Sequence, residues 1–316
     1  MLEFVVRVVG VLVAFLVAPL LVGQAEHKVM AHMQSRLGPM YAGAFHGWAQ
    51  LVADGVKFIQ KESVTPAAAD KRVFELAPIV AILPYMAALA AIPLAPNIVG
   101  ADLDSGLFYV LAVMSVGVLG SLMAGWASGN KYSLLGGLRV AAQLMSYELP
   151  FVLSAASVAV AAGTLSLTGI ADAWNPLWLL WQLPGMVVFF IAGLAELQRP
   201  PFDMPVADSE VIFGPYTEYT GLRFAMFLLA EYAGIVVLAG LTTVLYLGGW
   251  SGPGPDSIGW IWTILKVAAV SVLVIWVRVA FPRLRADQLQ KLAWQGLVPV
   301  ALLQLALTGI GVVIFY

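Results

Sequence analysis

Two glutamates stand near the middle of long apolar runs, Glu148 in QLMSYELPFVLS and Glu231 in MFLLAEYAGIVV. An ionised acid at membrane depth costs on the order of 3 kcal/mol on insertion scales, so such groups face protein or water and mark ion or proton routes. A third acid, Glu196, opens the stretch ELQRPPFDMPVADSEVIFGPYTEYTGLR (196–223), which carries seven charged side chains, five of them acidic, between two apolar runs. Burial and a neighbouring arginine push a carboxylate's proton affinity in opposite directions, and a proton relay needs that adjustability. Any one of these acids could instead be a buried carboxyl bonded to Tyr, Ser or Arg with no transport role. Three of them beside an acidic loop favour the relay.

Spacing adds limits. Arg223 precedes Glu231 by eight residues, so on a helix the two share a side about two turns apart and could join one polar network without touching. Arg139 and Glu148, nine apart, point to opposite faces. Lys266, alone in its run, is expected to face protein or to reach the interface along its alkyl stem. The chain has no cysteine, which excludes disulfides and thiolate-held clusters. Its three histidines, His27, His32 and His46, fall in one connection and cannot pair across a bundle to hold haem. Any redox metal centre it serves is expected on another chain.

The elements that must position these residues are membrane helices. Of 316 residues 61% are hydrophobic and only 11% charged, a membrane composition. A helix needs about 20 mostly apolar residues to cross the hydrocarbon core. Eight runs qualify, at about 3–23, 74–95, 106–127, 136–163, 176–197, 219–248, 258–281 and 292–316. The expected fold is all-α, a polytopic membrane protein with one transmembrane helical domain over 1–316. The first run should persist as a helix, since it exceeds a signal's apolar region and Ala25-Glu26-His27-Lys28 is no small-residue cleavage site.

Fourteen of the 16 Lys and Arg residues fall after the first, third, fifth and seventh runs or at their ends, leaving only Arg7 and Lys266 apart. The other connections carry Asp102, Asp104, Asp172 and Asp256. Basic residues concentrate on the cytoplasmic side, so both termini should face outward and the acidic loop, about 198–218, inward. Between Trp48 and Ile59 an amphipathic period sets Trp48, Leu51, Val52, Val56 and Ile59 against Asp54, Lys57 and Lys61. A helix within about 44–62 should lie on the cytoplasmic membrane surface or pack on a partner. No internal repeat is visible, which weakens a repeat-built transporter.

The runs EHKVMAHMQSRLGP (26–39), ADGVKFIQKE (53–62), AGWASGNKYSLLGGLRVAAQLMSYELP (124–150), RPPFDMP (199–205), TEYTGLRFAMFLLAEYA (217–233) and WVRVAFPRLRADQLQKLAW (276–294) together resemble the family of H subunits of bacterial NADH:quinone oxidoreductase, respiratory complex I. The likeness covers nearly the whole chain. It implies an eight-helix protein that joins the peripheral and membrane arms, forms most of the quinone chamber and catalyses nothing alone. It implies ubiquinone or menaquinone as substrate, with no flavin, haem or iron–sulfur cluster held by this chain. The implied partners are other membrane-arm subunits, peripheral-arm subunits carrying the terminal iron–sulfur cluster, and the lipid bilayer, with no nucleic acid; the implied location is the bacterial inner (cytoplasmic) membrane.

By position, the resemblance assigns proton coupling to Glu148, Glu196, Asp208, Glu210 and Glu231, with Glu218 and Arg223 in support. It assigns the quinone chamber to Glu26, Arg36, Asp54, Arg199, Asp203, Arg278, Arg283 and Asp287. Arginines there could stabilise negative charge as quinone is reduced, or could anchor lipid phosphate or the peripheral arm. The chain departs from the family pattern at Glu26-His27-Lys28, at Met40, and at Val206, where the acidic loop lacks one carboxylate. A paralogue in a membrane-bound hydrogenase or ferredoxin-fed complex is an alternative, and a stand-alone proton-coupled transporter a more distant one.

Overall fold

A computed structural model describes residues 2–255 and 258–315, and Asp256 lies outside them. The helices in chain order are α1 Leu2–Met33, α2 Gln50–Gln60, α3 Lys71–Ala91, α4 Gly106–Ala127, α5 Lys131–Ala162, α6 Leu167–Ala173, α7 Trp178–Trp181, α8 Leu183–Glu196, α9 Asp208–Val211, α10 Gly221–Tyr246, α11 Gly259–Ala280, α12 Ala286–Lys291 and α13 Val298–Phe315. A π-helical segment, Leu292–Leu297, fuses the last two. Among the described residues, seven segments are long and apolar enough to cross a bilayer: Val5–Met33, α3, α4, α5, α10, α11 and Ala286–Ile314. The chain is an all-α polytopic membrane protein.

Local chemistry explains several boundaries. Asp70 and Asn130 cap α3 and α5 by accepting from the backbone N–H of Arg72 at 3.2 Å and of Tyr132 at 2.9 Å. Gly163 ends α5 in the left-handed conformation that a side chain would resist.

Three expectations are corrected. The first span was expected to stop near residue 23, but α1 runs on through Glu26, His27 and Lys28 to Met33, so His27 and His32 are helical rather than in a connection. Beyond Gly23 no glycine or proline interrupts the chain before Gly38-Pro39. At 1.5 Å per residue the 32 residues of α1 reach about 48 Å, longer than the hydrocarbon core. The run 176–197 is not one span: it divides at Gln182 into α7 and the 14-residue α8, about 21 Å long. Pro184 has no N–H to offer the preceding turn; at the break the Gln304 amide donates to the Trp181 carbonyl at 2.9 Å, and the buried Gln182 side chain accepts from Ser157 and Gln304, each at 3.1 Å. The surface helix is shorter than 44–62: α2 runs from Gln50 to Gln60, buries none of its residues and leaves Val52, Val56 and Ile59 exposed.

Packing centres on two helices. α10 sits against α1, α3 and α11, and α5 against α4, α8 and α13. From Ala233 to Tyr246 every residue of α10 is buried, whereas α1 exposes Val6, Val13 and Leu21 on the outside of the bundle, where lipid would cover them. Lipid is as apolar as leucine, so close backbone approach and interhelical hydrogen bonds hold such a bundle. Gly120 of α4 lies directly on Ala81 of α3, and Gly125 on Gly137 of α5. Lys266 faces protein, donating to the carbonyls of Leu247, Gly249 and Ser251 at 2.6–2.9 Å.

Candidate functional site

Four elements converge where α8 ends. Arg199, in the loop after α8, has no solvent exposure, and its guanidinium pairs with Glu26 of α1 and, at 2.9 Å, with Glu231 of α10. Glu26 is 2% exposed and also pairs with Arg278, in the last turn of α11. The result is an alternating charge chain, Arg278, Glu26, Arg199, Glu231. Arg199 further lies 5.2 Å from the ring centroid of Tyr232. Burial works against the Arg199 charge, and the carboxylates of Glu231 and Glu26 outweigh it, holding the guanidinium above its ordinary proton affinity. Removing Arg199 would leave the buried Glu26 with only the partly exposed Arg278.

The loop is clamped by backbone contacts. The side-chain amide of Gln143 on α5 donates both to the Ala195 carbonyl (2.6 Å) and to the Phe202 carbonyl (2.7 Å), fixing the chain on either side of Arg199. The Leu284 N–H donates to the Pro201 carbonyl at 3.2 Å. Asp203 accepts two hydrogen bonds from Arg283, one of them 2.7 Å long. Farther along, Tyr219 stacks on Phe74 at 4.0 Å and donates to its carbonyl, tying the loop's end to α3.

A cavity of about 280 Å³ opens beside this centre, lined by Glu196, Glu231, Tyr85, Tyr216, Arg278 and Arg283 among others. Glu196 is 4% exposed, and its Oε2 has no hydrogen-bond partner among the described residues. Tyr216 shares a 2.7 Å hydrogen bond with Ser121, and burial pushes its phenol up to about 12. Phenols, carboxyls and guanidinia around one small space can exchange protons and stabilise an anion.

The sequence itself now bears on what this centre belongs to. The sequence model of a family described as NADH dehydrogenase matches residues 6–309. The chain belongs to the NADH dehydrogenase family. A relative named as the H subunit of NADH-quinone oxidoreductase, from Geobacillus thermodenitrificans, is 45% identical over 291 residues, spanning 90% of this chain and 87% of that protein. One of the same name from Bacillus cytotoxicus is 46% identical over 292 residues with the same coverage.

In this member of the NADH dehydrogenase family, the candidate residues do not all meet. Glu26, Arg199, Glu231 and Arg278 form the central chain, so the residues expected at the quinone chamber and those expected to couple protons are physically continuous. Arg283, Asp203 and Glu196 adjoin the same cavity. Glu148 stands apart between α4 and α5, accepting from the Ser115 hydroxyl at 2.6 Å. Glu210 pairs with Arg139 at 2.5 Å, and Glu218 accepts from Asn130 at 2.6 Å. The side chain of Asp208 lies outside the described residues.

Among the described residues, no hydrogen bond or ion pair joins Arg223 to the chain that holds Glu231. It turns to α3, pairing with Glu75 at 3.1 Å, donating to Thr65 and lying 5.6 Å from the Phe74 ring centroid. Asp54 stays on the surface helix with Gln50 and Lys57, Arg36 donates to Gln34 at the surface, and Asp287 pairs with the exposed Arg285. Sequence reasoning missed Tyr85, Ser121, Tyr216 and Gln143. Tyrosine and serine are common in apolar helices, so nothing in their spacing set them apart.

Proposed function

We propose that the chain is a membrane subunit of a proton-translocating NADH:quinone oxidoreductase, in which it contributes the quinone chamber and couples quinone reduction to proton movement. The whole chain acts as one transmembrane domain in the cytoplasmic membrane, both termini outside, beside other membrane-arm subunits and peripheral-arm subunits that carry the terminal iron–sulfur cluster. Ubiquinone or menaquinone is the substrate and reaches the chamber past the surface helix α2. The observation that carries this reading is the charge chain Arg278, Glu26, Arg199, Glu231, buried at its two inner members, beside an acid-lined cavity.

In this reading Arg278 and Arg283 stabilise negative charge that develops on the quinone side. Arg199 passes the change on electrostatically, because one guanidinium holds Glu26 and Glu231 at once through its two terminal nitrogens. A change at Glu26 thereby alters how firmly Glu231 is held. The acids Glu196, Glu148 and Glu210, with Asp208 and Glu218, extend the route toward neighbouring subunits. Arg36, Asp54 and Asp287 line the approach from the membrane surface, and Arg223 braces the loop against α3.

The test is a complex isolated through a tag on this chain. It should contain an NADH-binding subunit, reduce a quinone with NADH and move protons in vesicles. Charge loss in Arg278→Gln should raise the quinone KM. A complex with no NADH- or quinone-linked activity, or an Arg278 variant indistinguishable from the parent, overturns the assignment.

A further inference from the structure

Tyr85 lies on α3, which packs against both α4 and α10. Its ring occupies a slot made by two glycines. A Cβ at Gly117 of α4 would stand 3.2 Å from its Cε2 and 3.4 Å from its hydroxyl oxygen, and one at Gly234 of α10 would stand 3.2 Å from its Cε1. Gly234 is three residues beyond Glu231, so the ring sits one helical turn from that carboxyl-bearing position. Leu197, next in sequence to Glu196, closes the same slot against Gly234. The fold thus seats a phenol where the segments carrying the two acids converge.

The phenol also has hydrogen-bonding capacity that no described residue uses. Tyr85 is 7% exposed, lines the cavity shared by Glu196 and Glu231, and makes no hydrogen bond from its hydroxyl to a described residue. Glu196 Oε2 is unpartnered in the same way. Buried polar atoms are normally satisfied by protein or water, and about 280 Å³ leaves room for several waters of about 30 Å³ each. Of the other two phenols in the cavity, Tyr216 is already committed to Ser121 at 2.7 Å, and the Tyr232 ring is packed against the Arg199 guanidinium, 5.2 Å from its centroid.

We propose that Tyr85 carries the proton between Glu231 and Glu196. This rests on the reading of those acids as a proton route. A hydroxyl both donates and accepts. Glu231 in its acid form gives its proton to the Tyr85 oxygen, directly or along a cavity water, as the phenol O–H bond breaks and that proton passes to the Glu196 carboxylate. The phenol is regenerated, Glu231 ends as carboxylate and Glu196 as acid. No electron moves and the total charge is unchanged.

The test uses the assembled complex in proteoliposomes, with NADH and a quinone, and compares Tyr85→Phe with Glu196→Gln and Glu231→Gln. Phenylalanine fills the slot and removes only the oxygen; native gels establish that each variant assembles. The expected result is a loss of about tenfold or more in proton translocation for Y85F, with a larger slowing in deuterium oxide than the parent shows. If both glutamine variants lose translocation while Y85F keeps it and its isotope effect, the tyrosine inference is overturned and the acid route stands. If the glutamine variants translocate normally, the acid route falls and the inference with it.

Discussion

Arg199 and Glu231 meet at 2.9 Å, joining the loop after α8 to the N-terminal half of α10, and the same guanidinium holds Glu26 on α1. One buried cation therefore ties three elements far apart in sequence. Glu26 brings in a fourth, α11, through Arg278.

Replacing Arg199 with methionine should destabilise the protein by about 3–5 kcal/mol, because the nearly inaccessible Glu26 loses a partner and Glu231 is released. Lysine should restore only part of this. Its compact ammonium cannot serve two carboxylates as a planar fork does. Thermal unfolding of the purified complex, followed through this subunit's release on native gels, reads the difference, and equal midpoints for parent and R199M would refute it.

The Glu210 to Arg139 pair should behave differently. Its carboxylate side chain is 53% exposed, and pairs of that kind contribute about 0–1 kcal/mol. Glu210→Gln should leave the melting midpoint almost unmoved and, if Glu210 belongs to the coupling set, still reduce proton translocation. Stability and translocation that both match the parent would remove Glu210 from that set.

Glu148→Gln preserves an acceptor for the Ser115 hydroxyl and removes a titratable group. Assembly and quinone KM should be retained, with translocation reduced. Ser115→Ala should cost about 1 kcal/mol through the lost hydrogen bond. A parallel fall in quinone binding for E148Q would place Glu148 in the chamber instead.

Glycine substitutions test the packing. A Cβ at Gly120 would come within 2.5 Å of the Ala81 backbone nitrogen, so Gly120→Ala must separate α3 from α4 at a cost of about 1–3 kcal/mol. Gly10 on α1 has nothing within 4 Å of the same hypothetical atom. Gly10→Ala should be neutral or slightly stabilising, as alanine favours helix. Equal effects of the two would mean that close α3–α4 approach carries no stability.

Apolar run length determined the class of the protein and the approximate spans, and amphipathic period the existence of α2, because crossing hydrocarbon and forming a two-faced helix depend on local composition. It also singled out Glu148, Glu196 and Glu231, since a charge in an apolar run is conspicuous without any fold. Run length misplaced two boundaries: α1 continues past its apolar run as far as Met33 because no glycine or proline interrupts it, and the run 176–197 breaks at a glutamine whose side chain meets the distant Ser157 and Gln304. Tertiary structure alone decided that Arg199 bridges Glu26 and Glu231 while Arg223, spaced on a helix to suit Glu231, turns to Glu75. Helical periodicity fixes which face a side chain leaves from, whereas the partner it meets depends on how the helices pack.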